Sequence, residues 1–434
     1  MSDTRKIMYL DLSAEKTADS GYYYAELALL AENYEILDAM QRLRAAGRED
    51  SVWVSILECA DLPALENVRL DSPTLDELNF FAKRLVSMTE EENVVFRAVV
   101  GQVLREHHEG ELVSMKDLIN STYGLDSVPI ASNISDLEGL GRLVLESGLN
   151  DDLTDVSEEA IPYLNVEQIG RVQQEGDGGV FLGRYYVVTG YYERPEIYDG
   201  RTLPESEEAE PFVFRVKIGE YPTDGTAETE EGAEWLSLPA EADAAENMAA
   251  RHHEPSISSC ACYAFESSIP QITSEMFDGM LDFDRLNRLA WQFHLLSPAD
   301  QVKCKAALSA EKPDSVNGAL DITKNLWRYE FYSNPENSEE FFKAYLKRHL
   351  DSHFDNKWLD TLLPCNEGEK LLKRLGASVT EYGAISAGGR SLYELVPYRE
   401  PEIRAEYAPT MTGMETAEAD TEENEEIQIG GMHL

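Results

Sequence analysis

The sequence predicts an α+β fold: an elongated multi-module protein in which small antiparallel sheets with helices alternate with helical bundles, duplicated in tandem. Three observations predict it. Strand-like and helix-like stretches alternate along the chain. A helix–turn–helix pattern returns 208 residues downstream, and its flanks return in nearly the same register.

Leu27 and Leu29 precede a helix over Tyr34 to Leu43, as Leu236 and Leu238 precede an Ala-rich helix around Ala240 to Ala250. The strand Val52 to Leu57 runs into Leu62-Pro63-Ala64-Leu65, while Cys260 to Phe265 runs into Ile269-Pro270-Gln271-Ile272. The helical repeat follows. Leu78, Phe81, Ala82 and Leu85 fall on one helical stripe, and so do Leu286, Leu289, Ala290 and Phe293. Thr89 with Glu92, and Ser297 with Asp300, then place a hydroxyl at the N-cap and an acid three residues on, which opens a second helix. Each half closes with Ile161-Pro162 or Leu363-Pro364, a short helix, a glycine turn and a final strand at Val180 to Val188 or Ser378 to Ile385. Inside an acidic, loose stretch from Glu205 to Glu234, Phe212 to Ile218 alternates as a strand should and contributes to the second half.

The resulting modules are 1–72 (α/β), 73–160 (acidic and helical), 161–195 (short helix plus strands), 196–282 (acidic linker and second α/β module), 283–355 (near-neutral and helical), 356–400 (closing module) and 401–434. The last holds 9 acids and 1 base without apolar periodicity, the pattern of a disordered acidic tail.

Charge narrows the function classes. The 434 residues hold 82 Asp plus Glu against 37 Lys plus Arg, a net of −45, yet 43% are hydrophobic, enough to bury real cores. A basic nucleic-acid-binding surface is disfavoured, and basic proteins or cations are the fitting partners. Residues 1–195 carry 36 acids and 16 bases, whereas residues 283–400 carry 17 and 16. A general adaptation to solubility would load both halves, so the asymmetry ties acidity to a place. The candidate contact set is Asp76, Glu77, Glu90, Glu91, Glu92, Glu106, Glu109, Glu111, Asp117, Asp126, Asp136, Glu138, Glu146, Asp151, Asp152, Asp155, Glu158 and Glu159. Against a plainly solvated acidic face stands the alternative that these carboxylates replace phosphates. Duplex DNA carries one charge per ~1.7 Å, so the net charge matches roughly 75 Å of duplex.

The Leu-Asn helix followed by a Ser/Thr-capped acidic helix, then Ile161-Pro162-Tyr163-Leu164-Asn165-Val166-Glu167-Gln168-Ile169-Gly170-Arg171 and Gly178-Gly179-Val180-Phe181, resembles the ArdA antirestriction proteins of mobile genetic elements. The weaker second copy, Leu363-Pro364-Cys365-Asn366 through Leu371-Leu372-Lys373-Arg374 to Thr380-Glu381-Tyr382-Gly383-Ala384-Ile385, looks like the divergent units of long Firmicutes members. The resemblance implies a DNA mimic that occupies the DNA groove of type I restriction-modification enzymes, chiefly the methyltransferase core. It also implies homodimerisation. Two departures stand out: the chain is about twice the length of short members, and residues 283–400 are nearly neutral. The rival expectation is an acidic adaptor for another basic protein, without mimicry.

Other chemistry is set aside on spacing. His252, His253, Cys260 and Cys262 match no common zinc finger, and a strand over Cys260-Ala261-Cys262 puts both thiols on one buried face. Residues 150–159 lack the glycine of a calcium loop, where Asp155 stands. Gly176-Asp177-Gly178-Gly179 precedes a strand, whereas a dinucleotide loop opens a helix. No Walker motif, GxSxG elbow or HExxH occurs. The expectation is a protein without catalytic residues, metal or cofactor, cytoplasmic, binding neither nucleic acid nor membrane directly. Tyr22-Tyr23-Tyr24, Tyr185-Tyr186 and Tyr191-Tyr192 are expected to alternate between core and surface.

Overall fold

The computed structural model describes residues 6–16, 21–48, 51–106, 111–147, 159, 163–204, 211–220, 232–277, 282–349 and 367–387. All of these lie in one compact unit, Met1–Gly389. The expected acidic tail, 401–434, lies outside the described residues, as do Ile161-Pro162 and Leu363-Pro364.

The first repeat opens with Met8–Glu15 (β1), Tyr22–Leu29 (β2), Asn33–Arg42 (α1) and Val52–Cys59 (β3), which form an antiparallel sheet of order β2-β1-β3. Strict alternation builds it: Met8, Leu10, Leu12 and Ala14 point to the core while Tyr9 and Glu15 point out. Leu75–Ser87 (α2), Glu90–Glu106 (α3) and Met115–Asn120 (α4) follow, then Ile130–Ser132 (β4), Leu137–Ser147 (α5), Val166–Asp177 (α6), Val180–Leu182 (β5) and Tyr185–Val187 (β6). The last three strands make a second sheet, β4-β6-β5.

The second repeat has the same elements in the same order. Phe214–Gly219 (β7), Glu234–Leu238 (β8), Ala242–Arg251 (α7) and Ala261–Ser267 (β9) give the order β8-β7-β9. After Phe283–His294 (α8), Pro298–Glu311 (α9) and Val316–Lys324 (α10) come Tyr329–Tyr332 (β10), Ser338–His349 (α11), Glu367–Leu375 (α12), Ala377–Thr380 (β11) and Gly383–Ala387 (β12), whose strands pair as β10-β12-β11. The α+β class is as the sequence predicts.

Two devices recur and explain the sequence repeat. The Asn79 amide donates to Ala31 O at 2.7 Å and accepts from Ala31 N at 2.8 Å; Asn287 does the same to Ala240, at 2.8 Å both ways. The asparagine of each Leu-Asn pair therefore pins the loop between the second strand and the first helix. Both atoms of that backbone residue lack a ladder partner, so the side chain satisfies what a strand would otherwise supply. The second device is a close helix contact. A Cβ on Gly170 would fall on the carbonyl oxygen of Leu137, and one on Gly368 on that of Ser338, so each helix presses its glycine against the first residue of the helix before it. Eight residues after each, Gly178 and Gly376 take φ of 63° and 58° just past the helix end, a left-handed cap that favours glycine.

Three expectations are corrected and one is sharpened. The final strand of each half is a hairpin, because Gly183 at φ 60° and the Glu381-Tyr382 turn reverse the chain. The stretch Phe212 to Ile218 contributes a strand to the second repeat as expected, and that strand, β7, is the central one of its sheet and matches β1. Cys260 precedes β9 and is buried, whereas Cys262 lies on this edge strand and is exposed, so the two thiols do not share a buried face. Tyr185 and Tyr186 are both buried, because the small sheet is covered on both sides; Tyr22-Tyr23-Tyr24 alternates as expected.

The repeats are joined through α1. Asp38 on α1 accepts from Lys305 Nζ and from the Tyr382 hydroxyl, each at 2.7 Å, and both ionic side chains are buried. Arg44 donates to the carbonyl oxygens of Ser333 and Glu381 at 2.9 and 2.6 Å, and Lys16 pairs with Glu336 and Glu340 at 2.6 and 2.8 Å. Burial lowers the Lys305 pKa against the opposing pull of Asp38. A cavity of about 260 Å³ opens at this junction beside Tyr34, Phe212, Phe293 and Gln41. On α7, which matches α1, Asn247 takes the place of Asp38 and is exposed. The outer face of the second repeat is thus polar, as suits the end of an array.

Candidate functional site

The acidic candidates are set on α2 to α5 by ordinary helix signals. Thr74 caps α2 and forms a capping box with Glu77, whose carboxylate accepts from Thr74 N at 2.9 Å. Thr89 and Glu92 make the same exchange at 2.8 and 3.2 Å. These donors hold the Glu92 carboxyl below its usual range. Asp136 accepts from Gly139 N at 2.8 Å and starts α5.

The structure divides the candidates by what they touch. Glu77 also accepts from the Tyr198 hydroxyl at 2.9 Å; burial, aided by this bond, pushes that phenol up to about 12. Glu90, although exposed, meets the Tyr185 hydroxyl at 3.0 Å and Arg184 at 3.4 Å. Asp117 pairs with Arg194 at 3.0 Å, and Glu138 pairs with Arg142 one helical turn on. Asp76, Glu91, Asp126 and Glu146 are exposed and make no hydrogen bond or ion pair among the described residues. Glu111 and Glu159 are exposed as well. Glu106 is the last residue of α3, while Glu109, Asp151, Asp152, Asp155 and Glu158 lie outside the described residues.

Several of these acids therefore have a structural role at a helix start, where a carboxylate favours the positive end of the dipole. Of the free four, Asp76 and Glu91 also stand in the first turns of α2 and α3, but their side chains bond no backbone donor among the described residues. The positions of all four in the second repeat are informative, at a spacing of 208 residues through α2 and α3 and of 201 from Ser114 and Ser315, the caps of α4 and α10. Glu91 becomes Ala299, Asp126 becomes Trp327, Glu146 becomes Lys347, and only Asp76 keeps its charge, as Asp284. Of the paired acids, Glu77, Glu90 and Asp117 become Arg285, Pro298 and Gly318.

One group of exposed side chains is not among the sequence candidates: Tyr9, Tyr22, Tyr24, Trp53 and Leu57 on the solvent face of the first sheet. Alternation in Tyr22-Tyr23-Tyr24 signals outward rings, but only the assembled sheet brings β1, β2 and β3 side by side. His252 is buried, with Nε2 4.0 Å from a Glu234 oxygen, and no group of three or more His, Cys, Asp or Glu able to hold a metal occurs among the described residues. No helix among the described residues is long and apolar enough to cross a membrane.

No protein-family model matches the chain, and no curated protein matches it.

Proposed function

We propose that the chain is a non-enzymatic DNA mimic of the ArdA type, which occupies the DNA groove of a type I restriction-modification methyltransferase core. The acids of α2 to α5 are its leading contact surface. The observation that carries the reading is the set of exposed, uncompensated carboxylates Asp76, Glu91, Asp126 and Glu146, three of which give way to Ala299, Trp327 and Lys347 in an otherwise parallel repeat. The second copy builds the same elements without an acid at three of those places. A groove lined with Lys and Arg attracts such a surface as it attracts phosphates, and folding holds the anions in place before contact.

The test is inhibition of DNA methylation by a purified type I methyltransferase core at rising salt. Inhibition competitive with DNA that weakens steeply with salt is the expected result. The variant Asp76→Asn/Glu91→Gln/Asp126→Asn/Glu146→Gln should weaken inhibition by about tenfold or more. Inhibition independent of salt, or none at all with co-purification of some other basic protein, would replace mimicry by the adaptor reading.

A further inference from the structure

The outer face of the sheet β2-β1-β3 combines rings and carboxylates. Tyr24 and Trp53 are 63% and 52% exposed, with Tyr22 between them; its ring meets Trp53 edge-on at 5.5 Å and tilts toward Tyr24 at 6.4 Å. Ser13 lies across from both Tyr24 and Trp53 and is too small to separate them, so the three rings form one cluster. Asp11, Glu15, Glu26 and Glu58 surround the rings, and none makes a side-chain hydrogen bond or ion pair among the described residues. None of the three strands contains a Lys or Arg.

The second repeat has a guanidinium on the matching face of its sheet. Tyr9 pairs across the first sheet with Ala28 and Glu58; its counterpart Arg215 pairs with Ser237 and Glu266. The Arg215 guanidinium lies 4.8 Å from the Trp235 ring and 4.9 Å from the Phe212 ring, and it bonds to the Glu266 carboxylate and reaches Glu32 at 3.4 Å. Rings, carboxylates and arginine are thus all supplied by the chain itself. The rings do not match position for position, since Arg215 corresponds to Tyr9 and Trp235 to Glu26, but the first sheet likewise sets exposed rings beside carboxylates and has no arginine of its own.

We infer that the outer face of the first sheet binds arginine side chains presented by a protein partner. Arginine fits better than lysine because its planar, weakly hydrated guanidinium stacks on an aromatic ring while its edge bonds carboxylates, whereas an ammonium is a compact, strongly hydrated point charge. Four carboxylates without an opposing base supply the complementary charge. The inference goes beyond the proposed function: the face lies outside residues 76–159 and needs no methyltransferase to be tested.

The experiment is titration of the full chain with hexa-arginine and with hexalysine peptides by calorimetry at one fixed salt concentration. Any acidic protein attracts both, so the ratio of affinities is the readout. Hexa-arginine should bind about fivefold tighter than hexalysine, and Tyr24→Ser/Trp53→Ser should bring the ratio near one. Tyr24→Phe/Trp53→Phe keeps the rings and should keep the ratio, which separates stacking from misfolding. Asp76→Asn/Glu91→Gln, on the helical surface, should weaken both peptides alike. A wild-type ratio near one, or a ratio untouched by the serine variant, overturns the inference. So does a dimer in solution that the serine variant dissociates, because the face would then be covered by a second copy of the chain.

Discussion

The helical parts of the two repeats share their caps, their asparagine clamp and their glycine contact, yet they meet different surroundings. In the first, Arg97 on α3 is exposed and Glu91 and Asp126 stand free; in the second, the residue matching Arg97 is Lys305, buried against Asp38, and the matching acids are gone. One scaffold thus serves two uses. The second copy spends its α9 face on holding the first repeat, and the first copy leaves the same face to solvent. Burial sets the fate of the Arg97 position, but not that of the acids: Ala299, Trp327 and Lys347 are as exposed as Glu91, Asp126 and Glu146, so the second copy lost those charges from a surface that stays wet.

The largest effect that would break this comparison lies at the junction. Lys305→Ala takes the buried cation from Asp38, which keeps only the partly exposed Arg42 at 3.1 Å, and should destabilise the protein by about 3 kcal/mol in urea unfolding, while Arg97→Ala at the matching site should stay within about 0.5 kcal/mol. Equal losses would deny that the two faces differ. Next come the shared contacts. Gly170→Ala and Gly368→Ala each push a methyl into a backbone carbonyl and should cost about 2–3 kcal/mol; a large loss in only one repeat would show that the helix pairs are not alike. Asn79→Ala and Asn287→Ala should each cost about 1–2 kcal/mol, since each strips two hydrogen bonds from a half-buried loop, and thermal melting of the two variants should give similar shifts. The smallest effect belongs to the Thr89–Glu92 cap. Glu92→Ala should lose about 0.5–1 kcal/mol at neutral pH. Because the folded carboxyl is held below its ordinary 4.5, that contribution is complete above 4.5 and is lost as pH falls through the lower folded value. The difference between wild type and Glu92→Ala should therefore vanish in acid; a difference that persisted there would refute the cap as its source.

Local patterns made much of this fold legible. The Leu78-Asn79 and Leu286-Asn287 pairs, the Thr89 and Ser297 caps and the alternation of β2 all act within a few residues, and sequence spacing reports them. The asparagine clamp was visible only as a repeat, since Asn79 acts on Ala31 at a separation of 48 residues. Asp38 and Lys305 are 267 residues apart, and no periodicity marks either as buried and paired. The closing hairpins escaped because two short apolar strands around a two-residue turn look like one longer strand. For the acidic candidates, composition showed where carboxylates are dense, but not that Glu77, Glu92 and Asp136 are engaged in starting helices. For the ring cluster, alternation gave the direction of each side chain and could not give the three-strand neighbourhood.

The Asp38–Lys305 tie also bears on how the halves can be handled apart. A fragment ending before residue 205 would expose a carboxylate shaped for a dry contact, and with it Tyr34 and Gln41, whose amide oxygen has no hydrogen-bond partner among the described residues. Such a truncation would bare more of this flank than the intact molecule shows to solvent. Anyone isolating the anionic half for biochemistry should therefore redesign the outer stripe of its first helix along the lines of α7, where Asp243, Glu246 and Asn247 already illustrate a stripe that tolerates water.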